Sequence, residues 1–122
     1  MAGHSSFRIA IVDDDEQVRS ALSRLLRSHG LDPTAFDSGE AFLEGVKEQD
    51  FDAALMDLHL PGLSGIEATR AAHGVLPGLP IIMMTGYPEV GTAEKCAEAG
   101  AAAFLTKPIS AAALLSALPA VQ

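Results

Sequence analysis

Strand-like and helix-like segments alternate five times along this chain, and that alternation constrains its fold more than any other feature. The strand-like segments are short and largely apolar: Phe7–Val12, Leu31–Phe36, Asp52–Met56, Pro80–Met84 and Ala102–Thr106. The predicted helices are Glu16–His29, a helix capped by Ser38 and ending near Glu48, Ile66–His73, Pro88–Ala99 and Ser110–Leu118. Five such units predict an α/β domain with a parallel sheet, right-handed crossovers and helices on both faces.

The second strand is expected at an edge of the sheet. It contains Asp32 and Pro33, and proline lacks the N–H group that a central strand donates to its neighbour. The first strand, in contrast, is a continuous apolar run, which is typical of a strand covered on both faces.

Polar residues stand where four of the five strands end. Asp13 and Asp14 follow the first strand, Asp57 the third, Thr85 the fourth and Lys107 the fifth. In open parallel sheets, ligands bind in the crevice outside the carboxyl ends of the strands. The sequence therefore predicts that these five side chains share one site.

This set of side chains suits a divalent metal ion and a phosphoryl group. The adjacent carboxylates of Asp13 and Asp14 repel each other and need a compensating cation, and Mg²⁺ prefers carboxylate, water and phosphate oxygens. The carboxylate of Asp57 can carry an aspartyl phosphate. Lys107 would neutralise one phosphoryl oxygen, and the hydroxyl of Thr85 would donate a hydrogen bond to another.

Three further residues have structural explanations. Asp15 and Glu16 are expected to cap the first helix, where acids interact favourably with the helix dipole. The single cysteine, Cys96, excludes an internal disulfide, and a small, at least half-buried residue is the expectation there.

Length and charge narrow the function further. The 122 residues fit one domain, and eight basic against sixteen acidic residues give a net charge of −8. Such a charge disfavours direct binding to nucleic acid and docking on an anionic membrane. No apolar run approaches the roughly 20 residues of a membrane span. Residues 1–6 lack the features of a secretory signal, so a cytoplasmic protein is the simplest expectation.

Four motifs, in this order and spacing, give the chain a resemblance to a known family. They are Ile11-Val12-Asp13-Asp14, Met56-Asp57-Leu58-x-Leu60-Pro61-Gly62-x-Ser64-Gly65, Thr85-Gly86 and Lys107-Pro108. Over about residues 6–118 the chain resembles the receiver domain of two-component response regulators, and its details are similar to the nitrogen-fixation-type subgroup. The resemblance implies a flavodoxin-like (βα)5 doubly wound parallel sheet with strand order 2-1-3-4-5.

The resemblance also implies roles for the site residues. Asp57 matches the phosphoacceptor, which receives its phosphoryl group from a sensor histidine kinase. Asp14 matches a direct Mg²⁺ ligand, Asp13 an acid that acts largely through water, and the backbone carbonyl of His59 the third protein ligand. Mn²⁺ is expected to substitute for Mg²⁺. Lys107 matches the phosphate-binding lysine.

Activation is expected to involve Thr85 and Phe104. Thr85 matches the switch hydroxyl and Phe104 the aromatic residue that changes rotamer, although a plain core aromatic would also explain Phe104. The surface formed by helix 4, strand 5 and helix 5 would change shape in response. The Lys107–Pro108 bond resembles the family's cis peptide. Such a domain catalyses only its own phosphotransfer and autodephosphorylation, and is not a conventional enzyme.

Three residues beside the site are expected to modulate the reaction: His59, Gly86 and Tyr87. His59 borders the path of an attacking water molecule in this family, and Tyr87 could cover or open the pocket. The simpler alternatives are a solvent-exposed loop histidine and a surface aromatic with no kinetic role.

The last helix, Ser110–Leu118, has no charged residue. Its outer face would suit a partner, either a homodimer formed on phosphorylation or a covering domain. We therefore expect residues 1–122 to be a single receiver domain, from the N-terminal part of a longer regulator that controls an output domain or downstream protein. A single-domain regulator is the alternative.

Three other functions compete with a phosphorylation switch. A pseudo-receiver that binds partners without phosphorylation would be expected to lack one of the key side chains, and all are present. A haloacid-dehalogenase-type phosphatase would need further acids after the lysine, and no acid follows Glu98. A flavin-binding domain would want hydroxyl groups after the first strand, where this chain has three aspartates.

Overall fold

The structure is a computed structural model that describes residues 7–118. Five parallel strands form one sheet in the order β2-β1-β3-β4-β5, which confirms the predicted architecture. The strands are β1 Arg8–Val12, β2 Asp32–Phe36, β3 Ala53–Asp57, β4 Ile81–Thr85 and β5 Ala103–Thr106. The helices are α1 Glu16–Ser28, α2 Gly39–Glu48, α3 Gly65–Val75, α4 Thr92–Glu98 and α5 Ala111–Ala117.

Alternate residues of each central strand enter different cores. In β1, Ala10 and Val12 join the cluster beneath α2 and α3, whereas Ile9 and Ile11 join the cluster beneath α1 and α5. Every residue of β3 and β4 is buried, as expected of parallel strands covered on both faces. The edge position of β2 and its Pro33 agrees with the prediction.

Two helices differ in extent from those predicted. The fourth helix begins at Thr92 rather than Pro88, because Gly91 has a left-handed backbone with φ of 87° and residues before it form a turn in which the Glu89 N–H donates to the Thr92 hydroxyl. The third helix is longer than predicted and includes Gly65 and Gly74. A capping box at its start explains the early beginning.

Within residues 7–118, none of the helices is long and apolar enough to cross a membrane. One interpretation of the sequence falls outside the described range, namely the absence of a secretory signal in residues 1–6.

Candidate functional site: a carboxylate crevice at the strand ends

The register of the sheet brings the predicted site residues to one edge. Val12 is paired with Met56, and Asp57 with Met84, so the residues that follow β1 lie beside the end of β3. Backbone hydrogen bonds continue up to the site, because the Lys107 N–H donates to the Thr85 carbonyl at 2.8 Å. The crevice is therefore built directly on the hydrogen-bonded ends of the central strands.

Three carboxylates meet in this crevice. One oxygen each from Asp13, Asp14 and Asp57 lies within 4.8 Å of the others. Asp13 and Asp57 are buried, with 1% and 5% exposure, whereas Asp14 is exposed. An all-oxygen set that is open to water on one side fits a hard cation such as Mg²⁺, which keeps several of its waters.

Lys107 is the cation that faces these acids. Its Nζ lies 2.8 Å from Asp13 Oδ2 and 3.4 Å from Asp57 Oδ1. Burial raises the pKa of Asp57, and the charge of Asp13 raises it further, which outweighs the opposing influence of Lys107. Burial lowers the pKa of Lys107, but its hydrogen bond to Asp13 and the charge of Asp57 outweigh burial and leave that pKa raised. The crevice thus holds more negative charge than its lysine compensates.

Hydrogen bonds engage both the backbone and the carboxylate of Asp13, an arrangement that the sequence alone did not indicate. Its Oδ1 accepts from the Asp15 N–H at 2.9 Å, and its backbone N–H donates to the Phe36 carbonyl at 3.1 Å. The guanidinium of Arg19 donates to the Asp13 carbonyl at 2.9 Å. With Lys107 on Oδ2, both carboxylate oxygens of Asp13 are engaged, so Asp14 and Asp57 are the more available acids.

Thr85 and Phe104 lie behind the crevice. Thr85 is fully buried, and its Oγ1 accepts from the Tyr87 N–H at 3.2 Å. Phe104 is half-buried against the core cluster under α2 and α3, and is paired with Met83 across the strands. Tyr87 is 82% exposed in the loop after β4, next to the exposed Gly86.

The loop after β3 closes one side of the site. The His59 N–H donates weakly to Asp57 Oδ1 at 3.4 Å, and the His59 side chain is exposed. A capping box formed by Ser64 and Glu67 begins α3, and it lowers the pKa of Glu67. A Cβ atom at Gly65 would collide with the Asp57 carbonyl oxygen. The Ser64-Gly65 pair in the sequence was the available signal for this close approach.

The remaining predicted features are also visible. The Lys107–Pro108 peptide bond is cis. Asp15 caps α1, since its Oδ1 accepts from the Gln17 and Val18 N–H groups, and Glu16 lies in the first turn. The helix-capping explanation of these two acids is confirmed. Cys96 is buried, and burial raises the pKa of its thiol.

The strand order, the helices on both faces and the acidic crevice define a flavodoxin-like α/β domain. The family model of the response regulator receiver domain matches residues 9–119. The chain therefore belongs to the receiver domains of two-component response regulators, as the motifs predicted.

Known proteins agree with this assignment. The chain is 36% identical over 115 residues to the transcriptional regulatory protein FixJ of Azorhizobium caulinodans. The alignment covers 94% of this chain and 54% of FixJ. The chain thus spans about half the length of this relative.

Two solved structures extend the comparison. A CheY-like receiver domain protein from Methanospirillum hungatei superposes with a TM-score of 0.87 at 32% identity, covering 92% of this chain and 90% of that one. A response regulator from Burkholderia pseudomallei, crystallised with a phosphorylated aspartic acid, calcium and citrate, gives a TM-score of 0.86 at 26% identity over 93% and 66% of the two chains.

Proposed function

We propose that this domain is a phosphorylation switch that accepts a phosphoryl group on Asp57 in a Mg²⁺-dependent reaction. The observation that carries the proposal is the placement of Lys107 Nζ between Asp13 and Asp57, in a crevice where three carboxylates converge. Phosphoryl transfer depends on positioning and charge neutralisation more than on covalent help, and this crevice offers both. The phosphorylated aspartate in the Burkholderia regulator is consistent with this proposal.

Asp57 acts as the nucleophile. The hydrogen bond and ion pair found for its side chain within residues 7–118 both involve Oδ1, so Oδ2 is the oxygen we assign to the attack. Oδ2 forms a bond to phosphorus while the bond from phosphorus to the donor imidazole nitrogen breaks. The nitrogen keeps the electron pair, and because the other ring nitrogen of the donor histidine carries a proton, the imidazole leaves in its neutral form. Lys107 balances charge on a phosphoryl oxygen.

The metal site would be formed by Asp14 and Asp57 directly, by Asp13 through water and by the backbone carbonyl of His59. The oxygen-only donor set and the exposure of Asp14 support this division, since both Asp13 oxygens already accept hydrogen bonds. When bound, Mg²⁺ would neutralise the carboxylates and the incoming phosphoryl oxygens, and Mn²⁺ would substitute.

Thr85 and Phe104 would convert the new charge into a change of surface. Phosphorylation adds about −1.5 to −2 charges, and the Thr85 hydroxyl, which now accepts from the Tyr87 N–H, would turn to donate to the phosphoryl group. Phe104 would then move inward on β5. The half-exposed β5 and the uncharged α5 support a response at the α4–β5–α5 surface.

The partners follow from this activity. A sensor histidine kinase would supply the phosphoryl group, and an apolar groove between α1 and the start of α5 opens beside Lys107 for its approach, lined in part by Val18, Leu22 and Ile109. The α4–β5–α5 surface would act on an output domain or downstream protein, or form a homodimer. We propose that residues 1–122 serve as the receiver part of a longer regulator, as FixJ is about twice this length.

Two exposed residues would tune the lifetime of the phosphoryl group. His59 and Tyr87 stand at the ends of β3 and β4, and both side chains are accessible to solvent. Either side chain could obstruct or admit the water that hydrolyses the aspartyl phosphate. A Cβ atom at Gly86 would point into open space.

The test is intact mass after incubation with acetyl phosphate, with and without Mg²⁺, on the wild type and on Asp57→Asn. We expect an adduct of about 80 Da that requires Mg²⁺ and disappears in the variant. An unmodified but folded wild type would refute the proposal and favour a phosphorylation-independent binding module. An adduct that persists in Asp57→Asn would refute the assignment of the acceptor.

A further inference from the structure

Helix α1 carries a concentration of positive charge that the proposed phosphoryl site does not use. Three of the eight basic residues, Arg19, Arg24 and Arg27, occur within nine positions, and no acid lies between Glu16 and Asp32. Outside the segment Arg19–Arg27, the other five bases face sixteen acids, a net charge of −11. The positive charge of this part of α1 therefore contrasts strongly with the negative charge of the rest of the domain.

The three guanidinium groups share one face of the helix. Together with Ser20 and Ser23 they line a groove between α1 and β2, which reaches Ala35 and contains one acid, Glu16. We call this set the arginine face: Arg19, Ser20, Ser23, Arg24 and Arg27. It lies on the β2 side of α1, away from the apolar groove beside Lys107.

The outer part of this face has no internal partner. Arg24 and Arg27 are exposed, and neither forms an ion pair within the part of the chain that the structure describes. Arg19 is different, because it is half-buried and donates to the Asp13 carbonyl. Guanidinium groups recognise carboxylates through paired hydrogen bonds, and Ser20 and Ser23 add hydroxyl donors between them.

We propose that the arginine face is a docking surface for an acidic segment of a partner protein. The size of the face favours a short segment, because α1 has 13 residues and is therefore about 20 Å long. Acids lie at or beyond both ends of the helix, Asp14 to Glu16 at one and Asp32 at the other. A long polyanion would meet these acids, whereas an acidic segment of two or three helical turns fits over the exposed Arg24 and Arg27 without reaching Asp14 or Asp32.

Nucleic acid fits this surface less well. A DNA duplex carries one charge per roughly 1.7 Å of its axis, so it would extend its phosphates over the acidic surroundings of α1. An anionic membrane would meet the same repulsion. Carboxylates that are confined to one segment avoid it, and salt screens the remaining charges of the domain beyond about 8 Å at physiological ionic strength.

The test is a titration of the ¹⁵N-labelled domain with an octaglutamate peptide at low salt, followed by two-dimensional NMR without Mg²⁺ or a phosphoryl donor. We expect saturable shifts of the amides from Arg19 to Arg27 and of Ala35. Shifts that are absent, or that are scattered over other helices, would overturn the proposal. Since no phosphoryl chemistry is involved, the result is independent of the function proposed for Asp57.

Two double variants separate the face from the net charge. The double variant Arg24→Glu with Arg27→Glu should lower the affinity for octaglutamate at least about tenfold. The matched control, Arg70→Glu with Lys95→Glu, makes the same change in net charge at exposed sites on α3 and α4. It should lower the affinity for octaglutamate less than about threefold. Equal losses in both variants would overturn the proposal.

Two checks complete the design. If the charge-reversed protein loses its dispersed spectrum, Arg24→Ser with Arg27→Ser provides the same comparison without new acids, and an undiminished affinity in that variant would overturn the proposal. A 12-base-pair DNA duplex is titrated in parallel. Tighter binding of the duplex than of octaglutamate at the same face would overturn the choice of an acidic protein segment.

Discussion

Replacing Asp57 with asparagine should stabilise the metal-free domain, because the native carboxylate is held in an unfavourable environment. Asp57 is 5% exposed and lies within 4.8 Å of both Asp13 and Asp14. At an effective dielectric constant of about 20, each repulsion is worth at least about 3.5 kcal/mol, before solvent screening of the exposed Asp14. The attraction to Lys107 at 3.4 Å is worth about 5 kcal/mol on the same scale.

The two repulsions together exceed the one attraction by about 2 kcal/mol, an excess that solvent screening of Asp14 reduces and that the desolvation of Asp57 increases. Burial is also the largest cause of its raised pKa. Combining the residual repulsion with desolvation, we expect Asp57→Asn to raise the free energy of unfolding by about 1–3 kcal/mol. For a domain of this size, that corresponds to an increase in Tm of about 3–10 °C.

The pH dependence follows from the direction of the pKa shift. A carboxyl whose pKa is raised in the folded state lowers the free energy of unfolding, and the whole of this penalty is present at pH values above the raised pKa. The penalty disappears as the pH falls through the raised pKa toward the ordinary carboxyl range. The advantage of the variant should therefore be fully present at pH 8 and shrink as the pH falls through the raised pKa of Asp57 toward the ordinary value of 3.8.

The assay is thermal unfolding by circular dichroism from pH 3 to pH 8 in the presence of a chelator. Asp50→Asn is the matched control, because it makes the same substitution at an exposed residue away from the crevice, and its Tm should change little. A Tm of Asp57→Asn that equals or falls below the wild-type value at pH 8 would refute the electrostatic reasoning. So would a stability difference that is constant with pH.

Three further substitutions, one of them with a matched control, test the structure around the site. Gly65→Ala should lower the free energy of unfolding by at least about 2 kcal/mol, because its Cβ would meet the Asp57 carbonyl. Gly74→Ala is the matched control, because a Cβ at Gly74 in the same helix meets open space, and it should raise the free energy of unfolding by about 0.5–1 kcal/mol. Equal effects of the two substitutions in urea unfolding would contradict the predicted collision at Gly65. Ser64→Ala should cost about 1 kcal/mol through the lost cap, which the same urea titration measures. Lys107→Met should cost about 1–3 kcal/mol at pH 7, and less when Asp57→Asn is already present; additive losses in a double-mutant cycle would refute the coupling.

Much of this fold could be predicted because its local and global signals agree. Pro33 indicated the edge strand, and continuous apolar runs indicated the buried strands, both through properties of the residues themselves. The start of α4 was harder to predict. Its first turn depends on Gly91 adopting a left-handed backbone, and glycine is compatible with either conformation, so the sequence from Pro88 onward allowed a helix that does not form there.

The members of the site could likewise be predicted, but their contacts could not. Strand ends place Asp13, Asp57 and Lys107 in one crevice whatever their rotamers. The direction in which the lysine turns is a tertiary property, because its long side chain can reach either acid. Its shorter contact is with Asp13, at 2.8 Å, rather than with Asp57. The hydrogen bond from Arg19 to the Asp13 carbonyl has no motif in the sequence that would indicate it.

The difference between the two adjacent acids explains how one turn can both stabilise the fold and leave a reactive site open. Asp13 is buried and uses both carboxylate oxygens within the protein, whereas Asp14 is exposed. Because Lys107 is bonded to Asp13, a phosphoryl group on Asp57 would have to draw the lysine part of the way from that partner. The vacated Asp13 oxygen would then need a cation or water in its place. Under the proposed function, the metal and the phosphoryl group would therefore bind with positive coupling, each reducing the electrostatic cost of the other.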